Sequence, residues 1–255
     1  MTLLIHTIPC LSDNYAFLAQ DQATGKIALI DAPEAAPILA ALDKLGWTLD
    51  IILITHHHPD HIDGLPALRS KFSPVIVGAA ADAHRLPPLD IAVAEGDAVN
   101  IGESAGHVLD VSGHTLGHIA LHFPGANAVF TADSLMALGC GRLFEGTPAM
   151  MWNSLSKLAA LPADTIVYSG HEYTASNAKF ALTIEPDNLA LQTRSQDITT
   201  ARAARRATVP SSLLSELATN PFLRAHLPEV KSALHMQDAD DVTVFAEIRR
   251  RKDNF

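Results

Sequence analysis

A chain of 255 residues can bury a sizeable core and has room for one large domain or one and a half. Its net charge of −10 argues against a general nucleic-acid binder or a membrane-surface binder. No apolar run approaches the ~18 residues of a membrane span, and Met1-Thr2-Leu3-Leu4-Ile5 lacks the basic leader of a signal peptide. Cys10 and Cys140 have no metal-ligand spacing and read as free thiols, so a reducing, cytoplasmic setting is expected.

Taken in order, short apolar runs alternate with turn residues. Leu3–Ile8, Tyr15–Ala19 and Lys26–Ile30 read as strands, the last two joined by a turn over Asp21–Gly25. Pro33–Leu45 has helical spacing and stops at Gly46. A strand at Ile51–Ile54 runs into the histidine-rich stretch Thr55–His61. A helix to about Lys71 follows, with Asp63 as its expected N-cap, and then a strand at Pro74–Val77. Further strands are expected at Ile91–Ala94, His107–Val111, Ile119–Phe123, Ala128–Phe130 and Thr165–Tyr168. Between the last two, Thr147 caps a helix that reaches about Ala160, with Pro148 at its first position. Beyond Glu172 only helical periodicity is found, over Ala175–Ile184, Asn188–Ala207, Ser212–Ala218 and Asp241–Arg251. Residues 1–173 carry 7 Lys and Arg against 18 Asp and Glu, whereas residues 174–255 carry 11 against 10. A boundary is therefore expected near residue 173, with an α/β domain over 1–173 and a helical domain over 174–255.

Chemistry concentrates in Thr55-His56-His57-His58-Pro59-Asp60-His61, just past a buried strand. Alternation along an extended segment places His56, His58 and Asp60 on one side and His57 and Pro59 on the other, with His61 joining as the chain turns. Imidazoles and a carboxylate at this spacing point to a zinc, iron or manganese site. Three more junctions each carry one ligand type just past a strand: His114 after Gly113, Asp133 after Thr131-Ala132, and His171 after Gly170. Together these supply five histidines and two aspartates, enough for two metal ions. His6, His57, His84, His107, His122, His226 and His235 are assigned structural roles. His118 and Asp31 are ambiguous between structure and the orientation of a ligand.

The pattern Thr-His-x-His-x-Asp-His, then Gly-His-Thr, Asp and His resembles the metal-binding set of the metallo-β-lactamase superfamily. A closer resemblance, nearly end to end, is to the glyoxalase II (hydroxyacylglutathione hydrolase) family. It rests on Asp13-Asn14-Tyr15, Cys140–Thr147, Gly170-His171-Glu172-Tyr173-Thr174, Thr219–Arg224 and Arg249–Phe255. The resemblance implies a metallo-β-lactamase αββα sandwich followed by a smaller all-helical C-terminal domain that binds glutathione. It implies that His56, His58 and His114 hold one divalent ion and Asp60, His61 and His171 a second, zinc by preference, with Asp133 bridging. Arg142, Phe144, Tyr173, Arg249 and Lys252 fall at the glutathione-binding positions. Arg142 stands where the family often has lysine, and Phe144 where many members have tyrosine, so a hydroxyl contact is lost there. The implied reaction, part of methylglyoxal detoxification, is hydrolysis of S-D-lactoylglutathione to D-lactate and glutathione. A metal-bridging hydroxide attacks the thioester carbonyl, with Asp60 and Asp133 hydrogen-bonded to it. A small-molecule glutathione thioester is thus the expected partner of a monomer that binds neither nucleic acid nor membrane. Two other readings share the loop: a single-iron glutathione persulfide dioxygenase and a non-catalytic metal-binding scaffold. Iron-linked oxygen consumption would mark the first, and metal content without turnover the second.

Overall fold

The computed structural model describes residues 3–255; Met1 and Thr2, at the head of the stretch read as lacking a leader, lie outside them. The chain folds as two units. One runs to Asp110 and takes in Leu116–Thr131, and the other consists of Val111–Thr115 and Ala132–Phe255.

In the first unit, β1 (Leu3–Cys10), β2 (Asn14–Asp21) and β3 (Ile27–Ile30) form an antiparallel meander. To it β4 (Ile51–Leu53), β5 (Val75–Ala79) and β6 (Ile91–Val93) add in parallel, so that the order in space is the order in sequence. Parallel neighbours need crossovers, and the helices supply them. Helix α1 (Ala35–Leu45) joins β3 to β4; α2 (Pro59–Ile62) and α3 (Leu65–Phe72) join β4 to β5. The apolar stripe of Ile38, Leu42, Leu65 and Leu68 packs on Leu18, Leu29, Ile52 and Ile76 from one face of this sheet.

The other face meets the antiparallel strands β7 (Ala98–Ile101), β8 (Ser104–Asp110), β9 (Ile119–Phe123) and β10 (Ala128–Ala132). Phe17 of β2 lies 5.6 Å, ring to ring, from Phe130 of β10. β2 is therefore buried on both faces, which is why it lacks polar alternation. Asp21 ties the two sheets together: its carboxylate accepts from Glu103 N at 2.8 Å, Ser104 Oγ at 3.1 Å and Thr24 Oγ1 at 2.7 Å. These bonds hold its pKa down to about 2, the backbone bond from Glu103 first.

The second unit holds a short hairpin of β11 (Leu135–Met136) and β12 (Gly139–Cys140), helix α4 (Pro148–Ala159), and β13 (Ile166–Ser169) paired with β14 (Ser211–Ser212). Its remaining helices are α5 (Thr174–Ile184), α6 (Leu189–Ala203), α7 (Leu213–Thr219), α8 (Pro228–Ala233) and α9 (Asp241–Asp253). Thr147 caps α4 as expected, its hydroxyl accepting from Met150 N at 3.3 Å. A buried polar knot fastens the hairpin to α7. Glu216 accepts from Leu138 N at 2.8 Å and pairs with Arg194, while Asn220 Nδ2 reaches the carbonyls of Met136 and Gly139. Among the described residues no helix is long and apolar enough to cross a membrane.

Candidate metal centre

Parallel pairing of β3 and β4 puts Asp31 and Thr55 side by side past the strand ends. Asp31 has a left-handed backbone (φ 57) and turns its carboxylate across β4. It accepts from Thr55 N, Thr55 Oγ1 and His61 Nδ1, each at 2.8 Å. Asp31, His56 and His61 lie close enough to ligate one ion. Because N–H and O–H donors already engage its oxygens, Asp31 reads instead as the group that orients His61.

The expected extended alternation holds only to His58, which is extended and precedes Pro59 at the first position of α2. That helical turn carries Asp60 and His61, so Asp60 reaches the site by helix geometry. Asp63 closes α2 and does not cap α3; Gly64 takes that place. A Cβ on Gly64 would lie 2.8 Å from Ala35 N, so only glycine permits the close pass beneath α1. Asp60 Oδ2 accepts from Asn14 Nδ2 at 3.0 Å. His57 faces away, to Asp82 at 2.8 Å.

Hydrogen-bond logic sets the tautomers. Asp31 only accepts, so His61 Nδ1 carries the proton and Nε2 the lone pair. The Thr55 hydroxyl gives its single proton to Asp31, so it accepts from His56 Nδ1 at 3.0 Å, and His56 Nε2 is also a lone-pair nitrogen. His56 Nε2 and His58 Nδ1 stand 3.1 Å apart. Two nitrogens at ~2.0–2.1 Å from one tetrahedral ion would be ~3.3 Å apart, so the pair fits a metal. His118 stacks flat on His56, centroids 4.5 Å apart, and packs the ring from behind.

In the second unit, Gly113 brings the Val111–Thr115 segment against α4, where a Cβ would lie 2.8 Å from that of Met151. The Ser154 hydroxyl donates to Ser112 O at 2.7 Å and pins the same turn. His114 Nδ1 donates to Arg142 O at 2.7 Å, leaving Nε2 as the lone-pair nitrogen. The β11–β12 hairpin returns the chain to Asp133: Gly141 N donates to Ser134 O at 3.0 Å, and a Cβ on Gly141 would meet Asp133 O at 1.9 Å. Gly170 N donates to Ala132 O, which sets His171 beside the same aspartate. The outcome is one carboxylate oxygen, Asp133 Oδ2, at 3.5 Å from His114 Nε2 and 3.3 Å from His171 Nε2. All three side chains are buried. These separations again match the edge of a tetrahedral ligand cage. A carboxylate between two imidazoles suits the ligand set of a divalent metal.

Around this set, the His171 ring stacks on Tyr173 (4.6 Å, 9°), and His114 meets Phe144 edge-on at 5.3 Å. Phe144, Tyr173 and Arg142 are exposed. Arg249, expected at a glutathione-binding position, is buried. Its Nη1 donates to Cys140 O at 3.0 Å, and its Nη2 pairs with Asp253 at 2.9 Å, within 3.6 Å of which lies Arg142 Nε. The reason is register: Arg249 falls with Phe245 and Ile248 on the buried face of α9. Lys252 is half-buried, and burial first, then the Arg249 charge, lowers its pKa to about 8. Both cysteines are buried free thiols with pKa raised to about 11 by burial. The bond from Asn14 to Asp60 and the pairing of Asp82 with His57 were not foreseen. Asn14 lies in the Asp13-Asn14-Tyr15 motif, whereas no pattern in the sequence singles out Asp82.

Residues 15–171 match the metallo-β-lactamase superfamily, and residues 172–255 match the family described as hydroxyacylglutathione hydrolase C-terminus. A hydroxyacylglutathione hydrolase from Ruegeria pomeroyi is 65% identical over 255 residues, the whole of both chains. The chain belongs to the hydroxyacylglutathione hydrolase family. This hydroxyacylglutathione hydrolase family member is thus an enzyme with a metallo-β-lactamase domain followed by a helical one. It shares its fold with the BLEG-1 B3 metallo-β-lactamase, at TM-score 0.67 and 20% identity, covering 86% of this chain and 99% of that one. It is also similar to TTHA1623 in a di-iron-bound form, at TM-score 0.61 and 26% identity, over 86% and 100% of the respective chains.

Proposed function

We propose that this hydrolase cleaves S-D-lactoylglutathione and related S-2-hydroxyacylglutathiones to the hydroxy acid and glutathione, acting in the cytoplasm as a monomer. The observation that carries the reading is the set His114–Asp133–His171 around one carboxylate oxygen, in a chain 65% identical throughout to a hydroxyacylglutathione hydrolase. His56, His58 and His114 would hold one divalent ion, Asp60, His61 and His171 the other, and Asp133 would bridge. Zinc suits the donors, and the di-iron form of TTHA1623 supports iron as an occupant.

When bound, the ions supply Lewis acidity that eases loss of a proton from water and polarises the thioester carbonyl. Asp60, held by Asn14, and Asp133 would orient the attacking water as hydrogen-bond acceptors. Water oxygen bonds to the carbonyl carbon, the carbon–sulfur bond breaks, and glutathione leaves as thiolate. No serine or cysteine nucleophile is needed. Arg142, Tyr173 and Lys252 would hold the peptide, with Arg249 bracing them through Asp253 and Phe144 offering an apolar ring without a hydroxyl. We place the boundary between catalytic and glutathione-binding domains near residue 173.

Loss of thioester absorbance on adding S-D-lactoylglutathione, abolished by chelation and restored by zinc, is the expected result. His58→Ala should lose metal and turnover together. Protein with one iron that consumes oxygen with glutathione persulfide, and leaves the thioester intact, would overturn the reading. Two bound metals without thioester turnover would leave only a scaffold.

A further inference from the structure

Lys252 lies in the corner formed by two rings. Its Nζ is 5.3 Å from the centroid of Phe180 on α5 and 5.3 Å from that of Phe255, and the two rings meet edge to face at 5.6 Å. Phe180 is fully buried and stacks on Phe222 at 6.0 Å; Phe222 in turn lies 5.1 Å beneath the Arg249 guanidinium. Phe255, by contrast, is 61% exposed, and it is folded back over the ammonium by Phe255 N donating to Lys252 O at 3.3 Å. An aromatic ring left largely in water, with its inner side on a cation and on a second ring, contributes little to a core. It covers one side of the ammonium.

The charged and titratable groups around Lys252 explain why this matters. Arg249 and Asp253 lie on the same helix, and Cys140 and Arg142 on the chain beneath. On α5, only the Ser176 hydroxyl and carbonyl approach Nζ, both at 3.5 Å. Asp253 supplies a side-chain carboxylate to the group, and Arg249 and Arg142 already share it. The Lys252 charge is thus held partly dry beside the Arg249 cation and is poorly neutralised, which is the setting in which an incoming carboxylate gains most.

We infer that Phe255, acting with Phe180, is a positioning residue that clamps the Lys252 ammonium for the carboxylate of the glutathione moiety. The inference rests on the proposed role of Lys252 in substrate binding. An aromatic ring does this without competing for the charge: its quadrupole attracts the cation but offers no counter-ion that substrate would have to displace. An acidic residue in its place would neutralise the very group that must bind an anion.

The experiment compares Phe255→Ala, Phe255→Leu and Phe255→Trp in the metal-loaded full chain, with circular dichroism and metal content as controls for folding. Phe255→Ala should raise KM for S-D-lactoylglutathione by about two- to fivefold at pH 7, with kcat held, since a half-exposed cation–π contact is worth about that factor. Phe255→Leu should restore little and Phe255→Trp most of the binding. In a Lys252→Ala background the same change should have no effect on KM. Proton NMR of the lysine side chains should show the Lys252 ammonium titrating nearer its ordinary value in Phe255→Ala. An unchanged KM and an unchanged Lys252 titration, while Lys252→Ala still raises KM, would overturn the clamp alone. An unchanged KM in Lys252→Ala would remove the binding role beneath it. Equal loss in all three Phe255 variants, with kcat falling too, would reduce Phe255 to a packing residue and also overturn the clamp.

Discussion

Asp31 is buried, and three hydrogen bonds end on it, one of them from a metal-ligand candidate. Asp31→Asn would present an amide N–H to His61 Nδ1–H or to the Thr55 donors, and the imidazole would turn or change tautomer. The expected outcome is metal held about 10- to 100-fold less tightly, measured by metal analysis after dialysis against graded chelator. Only the potential of this residue could be read from its position after a strand, because its partners come from residues 55 and 61 and from the pairing of two strands. His118 is similar: it was legible as a neighbour of the ligands, but its stacking on His56 depends on the return of β9. Lys252 carries the pH prediction. Its folded pKa lies below its unfolded value, so burial of the charge costs stability at neutral pH, a cost that fades as pH climbs past about 8 toward ~10.4. Binding would run the other way, since the charge proposed to meet substrate is lost over the same rise. kcat/KM should therefore fall as pH rises through about 8, and Lys252→Arg should abolish that limb because a guanidinium stays charged. A profile unchanged in Lys252→Arg would exclude this lysine as the titrating group.

At the level of elements, Gly141 shows how tightly the hairpin fixes the site. A methyl group there would press into the carbonyl of Asp133, and backbone cannot swing aside as a flexible side chain would. Gly141→Ala should lower kcat about 100-fold, the order expected of an ångström-scale misplacement, while leaving most of the helix signal in circular dichroism intact. Thr147→Ala at the cap of α4 is the contrasting case. It should cost ~1 kcal/mol in denaturant unfolding, with turnover at saturating substrate retained. That cap was legible because Thr-Pro before a periodic run satisfies a local rule. The elements that were not legible, β7, α2, β11, β12, β14 and α8, are short, and most depend on partners. Ala98-Val99-Asn100-Ile101 pairs because β8 folds back on it, although alanine and asparagine are poor strand formers. The two-residue strands carry no periodicity at all. Asp63 failed as a cap for a related reason: Pro59 opens a helix of its own and takes Asp63 as its end.

Over the molecule as a whole, the ligand types could be named from the sequence and the two family matches meet at residues 171 and 172, whereas the interleaving of the two compact units left no local signal. Composition changes near residue 173, but the segments 111–115 and 132–173 fold with the helices that follow, because Gly113 packs on α4 and the hairpin is fastened to α7. Contacts of this kind leave no mark on composition. The first unit has its own sensitivity to acid. Asp21, with pKa held down to about 2, favours the folded state above its unfolded value of ~3.9, and that contribution is lost as pH falls from about 4 toward 2. Unfolding by acid, followed by tryptophan fluorescence from Trp47, should accordingly shift to higher pH in Asp21→Asn. The two thiols, finally, have a bearing on life beside the product. The glutathione proposed as a product can be oxidised to a disulfide, and exchange of that disulfide with a protein thiol requires an accessible thiolate. Cys10 and Cys140 are sealed from solvent and stay protonated until about pH 11, so neither offers the sulfur anion that oxidised glutathione would capture. Mass spectrometry after prolonged exposure to oxidised glutathione should find the native chain unmodified, inert toward the disulfide of its own proposed product.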